Sequence, residues 1–298
     1  MKLRCKTVII AASLVSFALV ILIAFLARPP VLLVTEVSFA ELYGAKRLRL
    51  ETAHSSLVLF RRVKSVAIAD DAGNDIVLTA IEGASSKPFC VIFPVRYVQV
   101  ARSYREKKSG IPVVLMEGRY AGEENPSAFA IGDNTEDYFI YKTDISSDFY
   151  RAGLASAILD DGKNERIAVL LESGVQTQAK EAVSKALNDA GKPLQTSFFT
   201  SYSQFTSNQG FSCVVLAGIG ADYLDKYADI PVIFFTWINP ELIPKDIIIV
   251  FNDSPWVQTV PVVRMVKSGM IKGQIPSKIM IMGGKGIKRG IVHKLRKI

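Results

Sequence analysis

Residues that carry covalent or metal chemistry are sparse in this chain. The two histidines, His54 and His293, stand far apart in the sequence, so neither a histidine-based triad nor a metal cluster has its parts. Gly218-Ile219-Gly220 is followed by Tyr223 at the position where a dinucleotide-binding fingerprint requires a third glycine. The Gly-Gly-Lys-Gly sequence of residues 283–286 lacks the spacing and the Ser or Thr of a phosphate-binding P-loop. We therefore expect no enzyme activity, no metal and no cofactor.

Polar side chains instead follow the apolar segments that we predict to be strands. In an open parallel sheet ligands bind beyond the carboxyl ends of the strands, because loops and helix N-termini converge there. Arg119 and Asp144 are the strongest single candidates, since a guanidinium makes paired contacts with hydroxyls, carboxylate or phosphate. The candidate ligand-binding residues are Glu36, Ser38, Pro94, Arg96, Glu117, Arg119, Asp144, Gln176, Gly218, Trp237, Asn239, Asn252 and Asp253.

Each candidate has a structural alternative. Arg119 and Asp144 also fit a salt bridge at a hinge. The pair of Asn252 and Asp253 also fits a turn, which short polar side chains stabilise. An aromatic side chain such as Trp237 stacks on a ligand ring or simply packs in the core.

The elements that would position these residues occur twice along the chain. Residues 89–94 form an apolar, strand-like run, followed by a helix-compatible stretch and a second run at 110–116. The same order recurs over residues 211–235, and both second runs are opened by Ile-Pro-Val, with proline at the first strand position, where it is tolerated. Apolar strands that alternate with amphipathic helices predict, in each half, a parallel sheet covered on both faces.

A long apolar run precedes this repeat. Residues 8–27 are uninterrupted by charge, with basic residues before them and Arg28-Pro29-Pro30 after them. About 20 apolar residues in a helix span the ~30 Å hydrocarbon layer, so we predict a transmembrane helix. Phe25 stands where a cleavage site requires a small residue, which favours an uncleaved signal anchor over a cleaved signal peptide. The flanking basic residues predict that the body faces the periplasm or cell exterior.

The charges and cysteines of the body give weaker indications. The formal net charge is +8, and basic residues are frequent over 285–297, which predicts a solvated tail or contact with anionic lipid or an acidic partner. Cys90 and Cys213 would both face an oxidising compartment. Each lies within an apolar strand-like run, so we expect buried free thiols, with a disulfide as the alternative.

The length of 298 residues exceeds what one core usually supports, so we predict two lobes. Residues 1–29 would form a cytoplasmic stub and the membrane anchor. Residues 30–141 with 253–298 would form lobe 1, and residues 142–252 lobe 2. The predicted fold class is α/β: two Rossmann-like lobes with parallel sheets, joined by a multi-strand hinge and preceded by the transmembrane helix.

This layout resembles the type I periplasmic binding protein family, which includes ribose-binding proteins, basic membrane lipoproteins and the sensor domains of LacI regulators. The segments that carry the resemblance are residues 89–94, 110–116, 138–159, 248–254 and 266–269. The resemblance implies two lobes that close over one small ligand. It places Glu117 and Arg119 at the acid and arginine of the sugar binders, and Asn252 and Asp253 at their return segment.

The function that the resemblance implies is a membrane-anchored solute-binding protein of an ABC-type uptake system. Glu36 and Ser38 stand where the sugar binders have asparagine and aromatic residues, which argues against a pentose or hexose ligand. The alternative is a sensory or scaffold protein that keeps the fold and signals to a membrane partner. No DNA-binding helix pair precedes the fold, so nucleic acid is not an expected partner.

Overall fold

A computed structural model describes residues 2–118, 138–160, 162, 166–171, 173–192, 194–205, 210–218, 230–236, 247–282 and 289–298. Among them, side chains are described from residue 13 onward, except those of Ser173, Ile247 and Arg289. Within these residues the chain forms two six-stranded sheets, each covered by helices.

The first lobe is built on a sheet whose strands all run parallel. Its strands are β1 (Val31–Glu36), β2 (Val63–Ile68), β3 (Cys90–Pro94), β4 (Val113–Glu117), β5 (Phe139–Thr143) and β11 (Lys272–Ile275). They are ordered β11-β5-β4-β3-β1-β2. The described α-helices of this lobe are α2 (Val37–Tyr43), α3 (Ala45–Leu59), α4 (Asn74–Ala84), α5 (Val98–Lys107) and α8 (Pro255–Lys267).

The second lobe repeats this arrangement with one antiparallel edge strand. Its strands are β6 (Arg166–Leu171), β7 (Gln195–Phe199), β8 (Cys213–Ala217), β9 (Val232–Phe235), β10 (Ile247–Asn252) and β12 (Lys278–Ile281). They are ordered β12-β10-β9-β8-β6-β7, and only β12 runs antiparallel. The described helices of this lobe are α6 (Ile145–Leu159), α7 (Gln176–Asp189) and α9 (Arg289–Leu295).

The central strands are apolar on both sides because both faces of each sheet are covered. In β1, Leu32 and Val34 belong to one core cluster, whereas Val31 and Leu33 belong to the cluster on the opposite face. The residues of β6 alternate in the same way between two clusters of the second lobe. The predicted architecture of two α/β lobes with parallel sheets is therefore confirmed.

The chain crosses between the described sheets three times: after β5, after β10 and after β11. The prediction that residues 253–298 all return to lobe 1 is wrong for the tail. Helix α8 and strand β11 do pack in the first lobe. Strand β12 instead pairs with β10, and Leu295 of α9 is buried in the core of the second lobe. The pairing supplies a partner for the backbone groups of β10 that would otherwise form an open sheet edge.

Helix α1 (Lys2–Ala27) precedes the first lobe. From Leu14 to Leu26 its large apolar side chains other than Phe25 are 41–68% exposed. Among the described residues, no helix is long and apolar enough to cross a lipid bilayer, and the transmembrane helix predicted over residues 8–27 is not found there.

The cysteines of the two sheets are buried free thiols, as predicted. Cys90 lies in β3 and Cys213 in β8, in different lobes. Burial raises the pKa of each thiol to about 12, so both remain protonated near neutral pH.

The contact between α6 and α7 gives a test of packing in the second lobe. A Cβ atom at Gly153 would lie 2.7 Å from the Cβ of Ala186 and 3.2 Å from the backbone of Val183. We therefore expect Gly153→Ala to lower the free energy of unfolding by about 1–3 kcal/mol, measured by urea denaturation. Gly83→Ala in α4 is the control, because a Cβ atom added there would have no neighbour within 4 Å. It should raise stability by about 0.5–1 kcal/mol, and equal stability of the two variants would contradict close α6–α7 packing.

Candidate functional site

The carboxyl ends of β1 and β3 bring an acid and a cation into contact. Oε1 of Glu36 lies 2.6 Å from Nη1 of Arg96, and Nη2 of Arg96 donates a hydrogen bond to the carbonyl oxygen of Asp70 at 3.3 Å. The backbone N–H of Ser38 donates to Oδ1 of Asp70 at 3.3 Å. Asp70, which follows β2, thereby joins three predicted residues: Glu36, Ser38 and Arg96. The sequence pattern did not predict a role for Asp70.

Tyr97 adds a phenol to this group. It directly follows Arg96, and the guanidinium carbon lies 5.1 Å from the centre of its ring. Burial raises the pKa of Tyr97 to about 12, and the nearby charge of Glu36 acts in the same direction. The hydroxyl therefore stays protonated and remains a hydrogen-bond donor at physiological pH.

Glu117 lies at the end of β4, beside Lys142 of β5 in the strand register. Its Oε2 atom is buried and has no hydrogen-bond partner among the described residues. Buried polar atoms in proteins are normally satisfied by a protein group or by water. The carboxylate therefore provides an acceptor for a donor from water or a ligand.

A second group of buried polar atoms without a hydrogen-bond partner in the described part of the chain lies where α8 begins. They include Nδ2 of Asn252, Nε1 of Trp256 and Nε2 of Gln258. All three are donors, so they complement an acceptor such as a hydroxyl or carboxylate oxygen. The sequence pattern did not predict a role for Trp256 or Gln258. The signal that could have indicated one is a polar residue within the apolar first half of α8.

Three predicted residues of the crossings make structural contacts. Oδ1 of Asp144 accepts a hydrogen bond from the backbone N–H of Ser147 at 2.9 Å and so caps α6. Oδ1 of Asn252 accepts a hydrogen bond from the backbone N–H of Ser254 at 2.8 Å. This contact stabilises a turn, which was the structural alternative to ligand binding for this residue. Asp253 accepts from the hydroxyl of Thr143 at 3.2 Å, which ties the first crossing to the second.

The remaining candidates follow strands in both lobes. Pro94 ends β3, Gln176 begins α7, and Gly218 follows β8. Gly218 has a φ of 105°, a conformation that favours glycine. No described contact joins Gln176 or Gly218 to the group around Glu36. Arg119, Trp237 and Asn239 lie outside the described residues, and their roles stay predictions.

A buried carboxylate links the second lobe to the third crossing. Asp148 of α6 is fully buried and accepts hydrogen bonds from both the backbone N–H and the hydroxyl of Ser277, the former at 2.8 Å. It also pairs with Arg151, whose Nη2 donates to the carbonyl oxygen of Ser277 at 2.9 Å. No local pattern signals this cluster, because Ser277 lies 129 residues beyond Asp148.

Metal binding has no support in the described part of the chain, where no group of three or more His, Cys, Asp and Glu residues could hold an ion. The arrangement instead offers carboxylates, a guanidinium, a phenol and amide donors, which together suit hydrogen bonding to a small polar molecule.

No protein-family model matches the sequence, and no curated protein matches it. Solved structures are similar over most of the chain. An ABC transporter solute-binding protein from Conexibacter woesei has a TM-score of 0.59 at 11% identity, covering 91% of this chain and 94% of that one. A periplasmic solute-binding protein from Actinobacillus succinogenes with bound D-allose has a TM-score of 0.53 at 14% identity, covering 91% and 100%.

A transcriptional activator of the comK gene from Bacillus halodurans is also similar. Its TM-score is 0.58 at 11% identity, covering 91% of this chain and 95% of that one. At these identities the likeness shows the fold alone, which is that of type I periplasmic binding proteins. The predicted resemblance is confirmed at that level, and these neighbours are binding proteins and a regulator rather than enzymes.

The cluster of Asp148, Arg151 and Ser277, which links the second lobe to the third crossing, can be tested by mutation. We expect Asp148→Asn to lower the free energy of unfolding by about 3 kcal/mol, because it leaves the Arg151 guanidinium without its charged partner. Chemical denaturation of the full chain measures the change. Asp71→Asn, at an exposed position, is the control and should stay within about 0.5 kcal/mol of the parent protein. A loss below about 1 kcal/mol for Asp148→Asn would show that the cluster is not what holds the crossings together.

Proposed function

We propose that this protein binds a small polar solute between its lobes and delivers it to an ABC-type permease. The observation that carries the proposal is the contact of Glu36 with Arg96 at the carboxyl edge of the first sheet. Such a pair orients hydroxyl or carboxylate groups when a cleft closes and excludes water. Two neighbours with the same fold are solute-binding proteins, which supports the same role here.

The unpartnered buried atoms favour a ligand with both donors and acceptors. Oε2 of Glu117 needs a donor, whereas the amide groups of Asn252 and Gln258 need acceptors. Binding of such a ligand would satisfy groups whose isolation costs about 1–3 kcal/mol each. A molecule that carries several hydroxyl or amide groups fits this requirement better than a simple ion.

We further propose that α1 holds the protein at the outer face of the cytoplasmic membrane, with the body in the periplasm or at the cell exterior. The support is the uncharged run of residues 8–27 and the exposure of its apolar side chains from Leu14 to Leu26. Exposed apolar surface of this extent requires a lipid or protein environment.

A second candidate is a sensory or scaffold protein that keeps the fold and signals to a membrane partner. The observation that favours it is that Glu36 and Arg96 form an ion pair with each other without a ligand. The transcriptional activator with the same fold shows that this architecture also occurs in a regulator.

A ligand screen distinguishes the two candidates. Thermal unfolding of the full chain in neutral detergent would be measured with nucleosides, sugars, amino acids and simple anions. A true ligand at about 100 times its Kd should stabilise the protein by about 2.7 kcal/mol. Arg96→Gln should abolish that shift, whereas Arg102→Gln, an exposed control on α5, should retain it. A well-folded protein that responds to no compound would favour the sensory or scaffold role.

Membrane attachment has its own test. In membranes washed with alkaline carbonate, the parent chain should stay in the pellet. Leu19→Arg with Val20→Arg should move it to the supernatant, because arginine among the exposed apolar side chains of α1 opposes their burial in lipid. The matched control, Leu50→Arg with Leu57→Arg, changes exposed positions of α3 and should leave the pellet fraction unchanged. Equal release of the two variants would argue against an α1 anchor.

A further inference from the structure

Four cations from three separate segments lie together at the amino edge of the first sheet. Arg28 directly follows α1, Arg61 follows α3, and Arg264 and Lys267 occupy the last turn of α8. We call these four residues the amino-edge patch. It lies at the opposite edge of the sheet from the group around Glu36, because parallel strands place all their amino ends on one side.

Two phenylalanine rings lie against three members of the patch. The guanidinium carbon of Arg28 lies 4.7 Å from the ring centre of Phe60, and that of Arg61 lies 4.3 Å from the ring centre of Phe89. Nζ of Lys267 is 5.9 Å from the ring centre of Phe89. Arg61 and Lys267 thus contact the same ring, and the charges of Arg28 and Arg264 act on Lys267 from nearby.

The patch has no counter-charge in the described part of the chain. None of its members forms an ion pair there; the ion pairs that occur involve other cations. Partial burial lowers the pKa of Lys267, and the charges of Arg61, Arg28 and Arg264 lower it further. Burial and the charge of Arg28 likewise lower the pKa of Arg61. The cations thus repel one another, and an external anion would relieve that repulsion.

Exposed apolar side chains border these charges. Met270 and Ile271, just beyond α8, are each 46% exposed. On the other side, the ring of Phe25 near the end of α1 lies 5.7 Å from that of Phe60. Cations next to exposed apolar groups are typical of surfaces that contact anionic lipid, where headgroup and acyl chain are both available.

Helix ends explain only part of this arrangement. Arg264 and Lys267 stand at the negative C-terminal end of the α8 dipole, where cations are stabilised. This effect does not bring Arg28, which precedes β1, to the same surface, and it does not account for the exposure of Met270 and Ile271. An anionic lipid surface, which offers both charge and acyl chains, accounts for all of these features together.

We propose that the amino-edge patch binds the headgroups of anionic phospholipids in the membrane that α1 enters. This inference rests on the proposed anchoring by α1, whose last residue immediately precedes Arg28. Contact of the patch with the bilayer would set the first lobe with its amino edge toward the lipid and its carboxyl edge away from it. The candidate ligand site would then face a partner or solvent rather than the membrane.

The test uses the full chain in a neutral detergent and short-chain lipids. Binding of dihexanoyl-phosphatidylglycerol, dihexanoyl-phosphatidylcholine and inorganic phosphate would be titrated by microscale thermophoresis. We expect phosphatidylglycerol to bind tightest, and Arg264→Gln with Lys267→Gln to weaken it by more than about tenfold, since each cation near an anionic lipid surface contributes roughly fivefold. Arg264→Lys with Lys267→Arg should restore the affinity, because it keeps both charges.

The matched control is Lys180→Gln with Lys185→Gln, which removes two exposed charges from α7 in the second lobe. It should leave the affinity for phosphatidylglycerol unchanged, and circular dichroism should show both double variants folded. If both double Gln variants lose the same affinity for phosphatidylglycerol, binding depends on the total charge of the protein rather than on the patch. If inorganic phosphate binds as tightly as phosphatidylglycerol, the patch is a site for soluble anions. Either result, or no binding of phosphatidylglycerol, would overturn the proposal. The carbonate wash and the ligand screen report separately on anchoring and solute binding.

Discussion

The buried carboxylate of Asp148 binds the first and third crossings of the chain to each other. It is inaccessible to solvent and accepts two hydrogen bonds from Ser277 while pairing with Arg151. A buried charge is tolerated only when its partners are held in place, so α6 and the segment between β11 and β12 must keep a fixed relation. These crossings connect the two sheets. They therefore set how the carboxyl edge of the first sheet lies relative to that of the second.

Parallel strands then divide the first lobe into two chemically different ends. A strand of six residues is about 20 Å long, so Glu36 at the carboxyl end of β1 is well separated from Arg28 and Arg61 near its start. One edge carries an acid, a cation and unpartnered donors suited to a small ligand. In the described part of the chain, the other carries four cations that form no ion pair, bordered by apolar side chains. The two proposed roles, solute binding and lipid contact, would therefore use opposite edges of the same sheet.

The candidate site was predictable in location and only partly in membership. Residues that follow apolar strands are expected at one edge, and Glu36, Ser38 and Arg96 do meet there. Asp70 was missed because its role depends on β2 lying beside β1, which no local pattern shows. Asp144 also directly follows a strand, yet its side chain caps α6 and does not join this group. Position after a strand thus selects a region, whereas the contacts within it depend on which elements become neighbours.

The sequence by itself determined the lobed α/β architecture, because a strand covered on both faces must be apolar at nearly every position, as in β1 and β6. It also determined that Cys90 and Cys213 are buried thiols. Only the tertiary structure decided that β12 and α9 return to the second lobe and that Asp148 meets Ser277. These contacts join residues distant in sequence, and their energy depends on backbone placement and burial, which local composition does not encode.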